Sequence, residues 1–346
     1  MNEQMIHVAI THGDTNGIGY ELIFKTFEAS EMLELCTPVV YGSPKVAAFH
    51  RNTLGLQTPY TIIHKAEDAK DGRLNLLAVI EEETKVDFGI ANAESRSAAA
   101  KAMTKAAEDA DNGLFDVLVA GPSAEAAPAA PLSMLVNDQL RIAMATAGLP
   151  LKEVPKVITK ELIEQKALLL HQTLRRDFRI SKPRIAILAL NTSPGEEEEQ
   201  ILKPAIEALG EQRVNAFGPY PADTFFGEGN FNAFDAVLAL YDNQALAPFK
   251  TLDFGEGVSF AAGQDLVQTA PLASDAFRNA GKNLSDECSM RHAVYLAIDI
   301  FRNRQNYDEP LKNPLKKLYH EKRDESEKVR FNIPKAKDSA EKEKKQ

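Results

Sequence analysis

Two hydrophobic patterns alternate along the chain. Short apolar runs rich in β-branched residues fall at 6–11, 38–41, 60–63, 116–120, 140–146, 184–190, 236–240 and 258–261. Several are apolar nearly throughout, as strands covered on both faces are. Between them, residues 20–29, 95–110, 159–178, 197–212 and 288–304 carry apolar positions at helical spacing. This strand–helix alternation predicts an α/β fold with a mostly parallel sheet. Ligands of such sheets sit beyond the carboxyl ends of strands. Chemistry is therefore expected in the loops that open at His12, Gly121, Ala147, Asn191, Tyr241 and Ala262.

Two segments break the pattern. Residues 121–132 read GPSAEAAPAAPL, an Ala/Pro-rich stretch expected to be a plain connector. Residues 321–346 hold nine basic and seven acidic side chains with few apolar ones, which predicts a charged mobile tail after one domain at 1–320.

Composition narrows the function classes. The 346 residues are 44% hydrophobic and 26% charged, enough apolar material for a real core. Forty basic against fifty acidic residues give a net charge of −10, which argues against a nucleic-acid surface. No apolar stretch is long enough for a membrane span, and the first residues lack the apolar core of a signal peptide. A cytoplasmic protein is expected. Cys36 and Cys288, distant in sequence, read as reduced thiols and rule out a zinc site built on closely spaced cysteine pairs.

The first loop, from Ile10, reads ITHGDTNGIGYELIF, with Gly13, Gly17 and Gly19 between strand and helix. It is neither a dinucleotide fingerprint nor a P-loop. A tight turn and a ligand loop are both compatible with it. The run from Thr11 to Glu21 also resembles the opening of the 4-hydroxythreonine-4-phosphate dehydrogenase family, roughly T-x-G-D-x-x-G-I-G-x-E. Three further segments agree in order: RIAILALN from Arg184, GPYPADTFF from Gly218, and FDAVLALYDNQALAPFK from Phe234.

The resemblance implies an α/β/α fold of two subdomains around a cleft, similar to isocitrate and isopropylmalate dehydrogenases. It implies a homodimer that oxidises a phosphorylated threonine derivative with NAD in pyridoxal phosphate biosynthesis, helped by a divalent metal on three histidines. Such a metal would stabilise the charge that develops on the oxidised oxygen.

In this chain the three histidine positions fall on Gly148, Ser193 and Asp242. None of the seven histidines present lies there, although His12 lies in the first loop and reads as an ordinary loop histidine. The family's P-x-N-K lysine corresponds to Glu125. Its substrate-binding Asn and Arg correspond to Ser259 and Gln268, and its cofactor-side H-G-T-A to residues 273–276 with acidic Asp275. The segment that grips the substrate phosphate has no counterpart.

Family positions that survive are Asp14, Asn191, Asp223, Thr224 and Lys250, the last two as substrate contacts. Each also has a structural reading. Asp14 would cap the helix beginning near Gly17, Asp223 and Thr224 would form a turn after Pro221, and Lys250 would be a solvated lysine. The acidic run at 196–199 reads as the solvated first turn of a helix.

The expectation is a family fold without the family's metal and with no cofactor assigned, hence an inactive homologue. Two alternatives stand beside it: a regulatory subunit pairing with an active relative, and an enzyme with altered chemistry on another phosphorylated small molecule.

Overall fold

The computed structural model describes residues 5–82, 84–123, 130–273 and 276–313. Twelve strands form one sheet: β1 (Ile6–Thr11), β2 (Cys36–Gly42), β3 (Thr61–Ile63), β4 (Asn75–Ala78), β5 (Val117–Ala120), β6 (Leu132–Val136), β7 (Arg141–Thr146), β8 (Arg184–Leu188), β9 (Asn215–Tyr220), β10 (Ala236–Tyr241), β11 (Val258–Ala262) and β12 (Val267–Pro271). Their order is β3-β4-β2-β1-β5-β12-β11-β6-β7-β10-β8-β9. The helices are α1 (Gly19–Thr26), α2 (Glu31–Leu35), α3 (Pro44–Leu54), α4 (Ala93–Asp111), α5 (Val154–Val157), α6 (Lys160–Arg176), α7 (Lys203–Glu211), α8 (Ala222–Gly227), α9 (Asp242–Leu252) and α10 (Cys288–Lys312). The class is α/β with a mostly parallel sheet, as the alternation predicts.

The sheet has two parallel blocks. β3, β4, β2, β1, β5 and β12 run one way. β7, β10, β8 and β9 run together as the second block. β11 and β6 lie between, antiparallel to each other, and β6 is also antiparallel to β7. The two blocks therefore oppose each other in direction. Loops after β1 and β5 belong to one carboxyl edge, and loops after β7, β10 and β8 to another. Central strands are buried on both faces: all of β5, and all but the last residue of β10. That is why they read as continuous apolar runs.

Helix ends follow local chemistry. The Ser43 side chain accepts the Val46 N–H at 3.5 Å, Pro44 opens α3, and Gly55 closes it at φ +68°. Asn92 and Ser95 form a reciprocal capping box on α4.

The structure adds elements that the pattern did not give. β4 and β6 are short. β9 and β12 contain Gly, Pro, Gln or Thr and are partly exposed, so neither shows a clean run. α9 has Pro248 inside it, and α10 continues past Arg304 to Lys312. The helix expected at 197–212 begins as a π-helical turn, Glu198–Leu202, before α7. The segment at 121–132 is not connector to its end, because Leu132 begins β6. Its residues 124–129, with Glu125, lie outside the described residues, as does the tail at 321–346. Contacts divide the chain into two compact units, Met1–Asp308 and Glu309–Gln346, the second described only to residue 313. No described helix is long and apolar enough to cross a membrane.

Candidate active site

β7, β10 and β8 are adjacent and parallel, so the residues that follow them meet at one edge. This brings Gly148, Asp242 and Ser193 to the heads of three neighbouring strands. Two side chains lock the strand ends. Thr146 Oγ1 donates to the Leu240 carbonyl at 2.7 Å, joining β7 to β10. Buried Gln244 accepts the Leu240 N–H at 2.8 Å and donates to the Ala189 carbonyl at 2.6 Å, joining β10 to the exit of β8.

Asp242 is the first residue of α9, where negative charge suits the helix dipole. Its Oδ2 accepts the backbone N–H of Gly148 at 2.9 Å. Gly148 lies at φ +74°, with open space around the position a Cβ would take. A larger residue there would meet no clash but would strain the backbone.

The loop after β8 closes on Glu198. This carboxylate is 1% exposed. It accepts the backbone N–H groups of Asn191 at 2.8 Å and Gly195 at 2.7 Å, and the Asn191 side-chain amide at 3.2 Å. Burial alone would raise its pKa, but these hydrogen bonds hold it below the usual carboxylate value. Glu198 is thus not part of a solvated first turn, as the acidic run suggested. Asn191 is committed to this carboxylate and to Glu197. Ser193 stands exposed in the same loop.

This donor set does not fit a divalent metal in the manner of three imidazoles. Gly148 offers no side chain, and Ser193 offers a neutral hydroxyl. Asp242 already serves a backbone N–H, and a single carboxylate is a weak hold.

Other candidate residues scatter. Asp223 and Thr224 occupy the first turn of α8, beyond the head of β9, rather than a free turn. Both are exposed, and Thr224 Oγ1 donates to the Pro221 carbonyl at 3.2 Å. Exposed Lys250 lies eight residues along α9 from Asp242, about 12 Å of helical rise. Ser259 and Gln268 sit half-buried on the antiparallel pair β11 and β12, on strands rather than in a loop. Asp275 lies outside the described residues.

Asp14 belongs to the opposite block and is not a helix cap. The N-cap of α1 is Ile18, with no side-chain bond. Asp14 instead accepts the Asn16 N–H at 2.9 Å and the Ser95 hydroxyl at 3.0 Å, tying the first loop to the start of α4. Asn16 in turn bonds the Asp87 N–H and the Ile90 carbonyl. The loop's glycines serve backbone packing: a Cβ on Gly13 would come within 2.1 Å of the Pro122 carbonyl oxygen. His12 is fully buried and stacked on Tyr20, with centroids 5.2 Å apart. Burial pushes its pKa down to about 4, so it is neutral near pH 7. The loop is tightly packed, as the turn reading expects.

Comparison with known proteins agrees with the fold and with the family that the sequence resembles. The profile of the family described as "Pyridoxal phosphate biosynthetic protein PdxA" matches residues 34–131 and 123–297. The 4-hydroxythreonine-4-phosphate dehydrogenase of Bacteroides thetaiotaomicron is 41% identical, over 96% of this chain and 98% of the relative. The chain belongs to the PdxA family. A relative of the same name from Prosthecochloris aestuarii is 33% identical over 86% of this chain and 97% of its own length. The crystal structure of the Burkholderia phymatum 4-hydroxythreonine-4-phosphate dehydrogenase superposes with TM-score 0.67 at 25% identity, covering 86% of this chain and 99% of that one. The Klebsiella pneumoniae protein of that name, at 24% identity, gives 0.70 and covers 87% and 99%, which bears on fold alone. In this PdxA-family chain, sequence reading missed Gln244 and Glu198. Gln244 sits two residues after the quoted Asp242, and Glu198 lies within the acidic run at 196–199.

Proposed function

We propose that this chain keeps the PdxA fold and its link to pyridoxal phosphate biosynthesis but does not carry out metal-assisted oxidation of 4-hydroxythreonine 4-phosphate with NAD. The observation that carries this is the Asp242–Gly148 contact at the strand heads. A carboxylate bonded to a backbone N–H stands where the resemblance places a histidine, and the other two positions hold a glycine and a serine. No group at these three positions can polarise a substrate oxygen as a metal ion would. The replacement extends into the backbone, since position 148 has the left-handed φ that glycine tolerates. A homodimer in the cytoplasm, as the resemblance implies, is part of the same proposal.

NADH formation is the test. Purified protein, NAD, 4-hydroxythreonine 4-phosphate and added divalent metal are expected to give no turnover above the protein-free blank. Turnover that a chelator abolishes overturns the proposal.

A further inference from the structure

A second cluster lies away from the strand heads. Glu256 precedes β11, while Cys288 and His292 occupy the first two turns of α10 at spacing i,i+4, one above the other on the same helix face. A carboxylate oxygen, the thiol sulfur and a ring nitrogen from these three all lie within 4.8 Å of one another, and each residue is half-buried. Around a tetrahedral zinc the donor atoms stand roughly 3–4 Å apart, given the usual Zn–S and Zn–N lengths. Small side-chain rotations therefore suffice to close the three donors on one ion.

Val258 pairs with Val136, and Val136 with Arg141 at the start of β7. The cluster is thus near the amino end of β7, about 20 Å of strand from Gly148.

We propose that Glu256, Cys288 and His292 form a binding site for a zinc-class divalent metal ion, with its fourth coordination position open to solvent or a small ligand. Thiolate plus imidazole selects a borderline-soft ion over magnesium or calcium. Three protein ligands and one open position are the arrangement of zinc sites that bind an exchangeable ligand. A cavity of about 360 Å³ provides that opening, with Glu256 and His292 in its wall beside Asn137, Arg141 and Asp299.

The surrounding charge is acidic. Burial raises the Cys288 thiol pKa, and the carboxylates of Asp286 and Glu256 raise it further. A bound ion would displace the thiol proton. Asp286 also accepts the Cys288 N–H at 2.8 Å, fixing the backbone of the sulfur ligand. The one basic neighbour on this turn, Arg291, is paired with Glu287 at 2.7 Å.

Cobalt(II) is the probe, titrated into the metal-free full-length protein. Thiolate-to-cobalt charge-transfer absorption in the near ultraviolet, saturating at a single equivalent and displaced by zinc, is expected from the unaltered chain. Cys288→Ser should abolish that band. Cys36→Ser should leave it, because Cys36 is the buried first residue of β2 in the other parallel block. His292→Gln and Glu256→Gln should each weaken binding at least about tenfold. Absence of the band from the unaltered protein, or its persistence in Cys288→Ser, overturns the proposal. The first of these outcomes requires no variant to fold. Because the readout is sulfur ligation, it is independent of turnover and of Asp242.

Discussion

Glu198 organises the loop after β8 through two backbone N–H groups and the Asn191 amide. Its pKa is held below the ordinary glutamate value despite burial. A carboxyl group depressed in the folded state adds stability above its unfolded pKa, near 4.3, and loses it as pH falls through the folded value. Glu198→Gln removes the charge and turns an amide toward donors. It should lower unfolding free energy by about 1.5–3 kcal/mol at pH 7, the range for hydrogen bonds to a charged group. Urea unfolding of both proteins at pH 7 and below pH 4 checks this. The gap should shrink in acid, and a gap independent of pH would show that shape rather than charge holds the loop.

At the scale of elements, one buried ion pair joins α6 to α10. Asp177 caps the end of α6 and is 2% exposed, and Arg304 of α10 is 6% exposed. Arg304 Nε and Nη2 meet the two Asp177 oxygens at 2.7 and 2.9 Å, while Nη1 reaches the carbonyls of Gln264 and Asp265 before β12. Removing only the arginine leaves a buried carboxylate and two carbonyls without it. Arg304→Met should therefore destabilise the protein by about 3–5 kcal/mol, whereas adding Asp177→Leu to it should recover much of the loss. Equal unfolding midpoints for the single and double variants would contradict this account. The same elements show what sequence could reveal. β1 matches its expected bounds, because its Ile, Val and Ala positions form an apolar run that is buried at every position but His7. β12 was invisible, because VQTAP alternates buried and half-exposed positions and ends in proline. At the candidate site, only the resemblance singles out Gly148, Ser193 and Asp242. The Asp242–Gly148 contact was not, since it joins residues 94 apart whose meeting depends on the β7–β10 pairing.

At the scale of the molecule, the opposed blocks share one interior. A single apolar cluster includes Val8 and Ile10 of β1, Leu132 and Met134 of β6, and Ile185, Ile187 and Leu238 of β8 and β10. The strands between the blocks are hydrogen-bonded without a gap from β5 through β12, β11 and β6 to β7. Neither block could open without exposing apolar surface in the other and stripping a sheet edge of its partners. Large chains often unfold in steps, but that requires a boundary across which few contacts run. Within Met1–Asp308 the shared cluster and the continuous sheet remove such a boundary. Ile10→Ala and Ile187→Ala lie in opposite blocks, and both side chains are fully buried. Each should cost about 2–5 kcal/mol, and with the usual unfolding entropy per residue should lower Tm by about 3–8 °C. In calorimetry each variant should shift one and the same transition. If Ile10→Ala moved one heat-absorption peak and Ile187→Ala another, the blocks would be separate folding units, and the continuity of the sheet would not couple them.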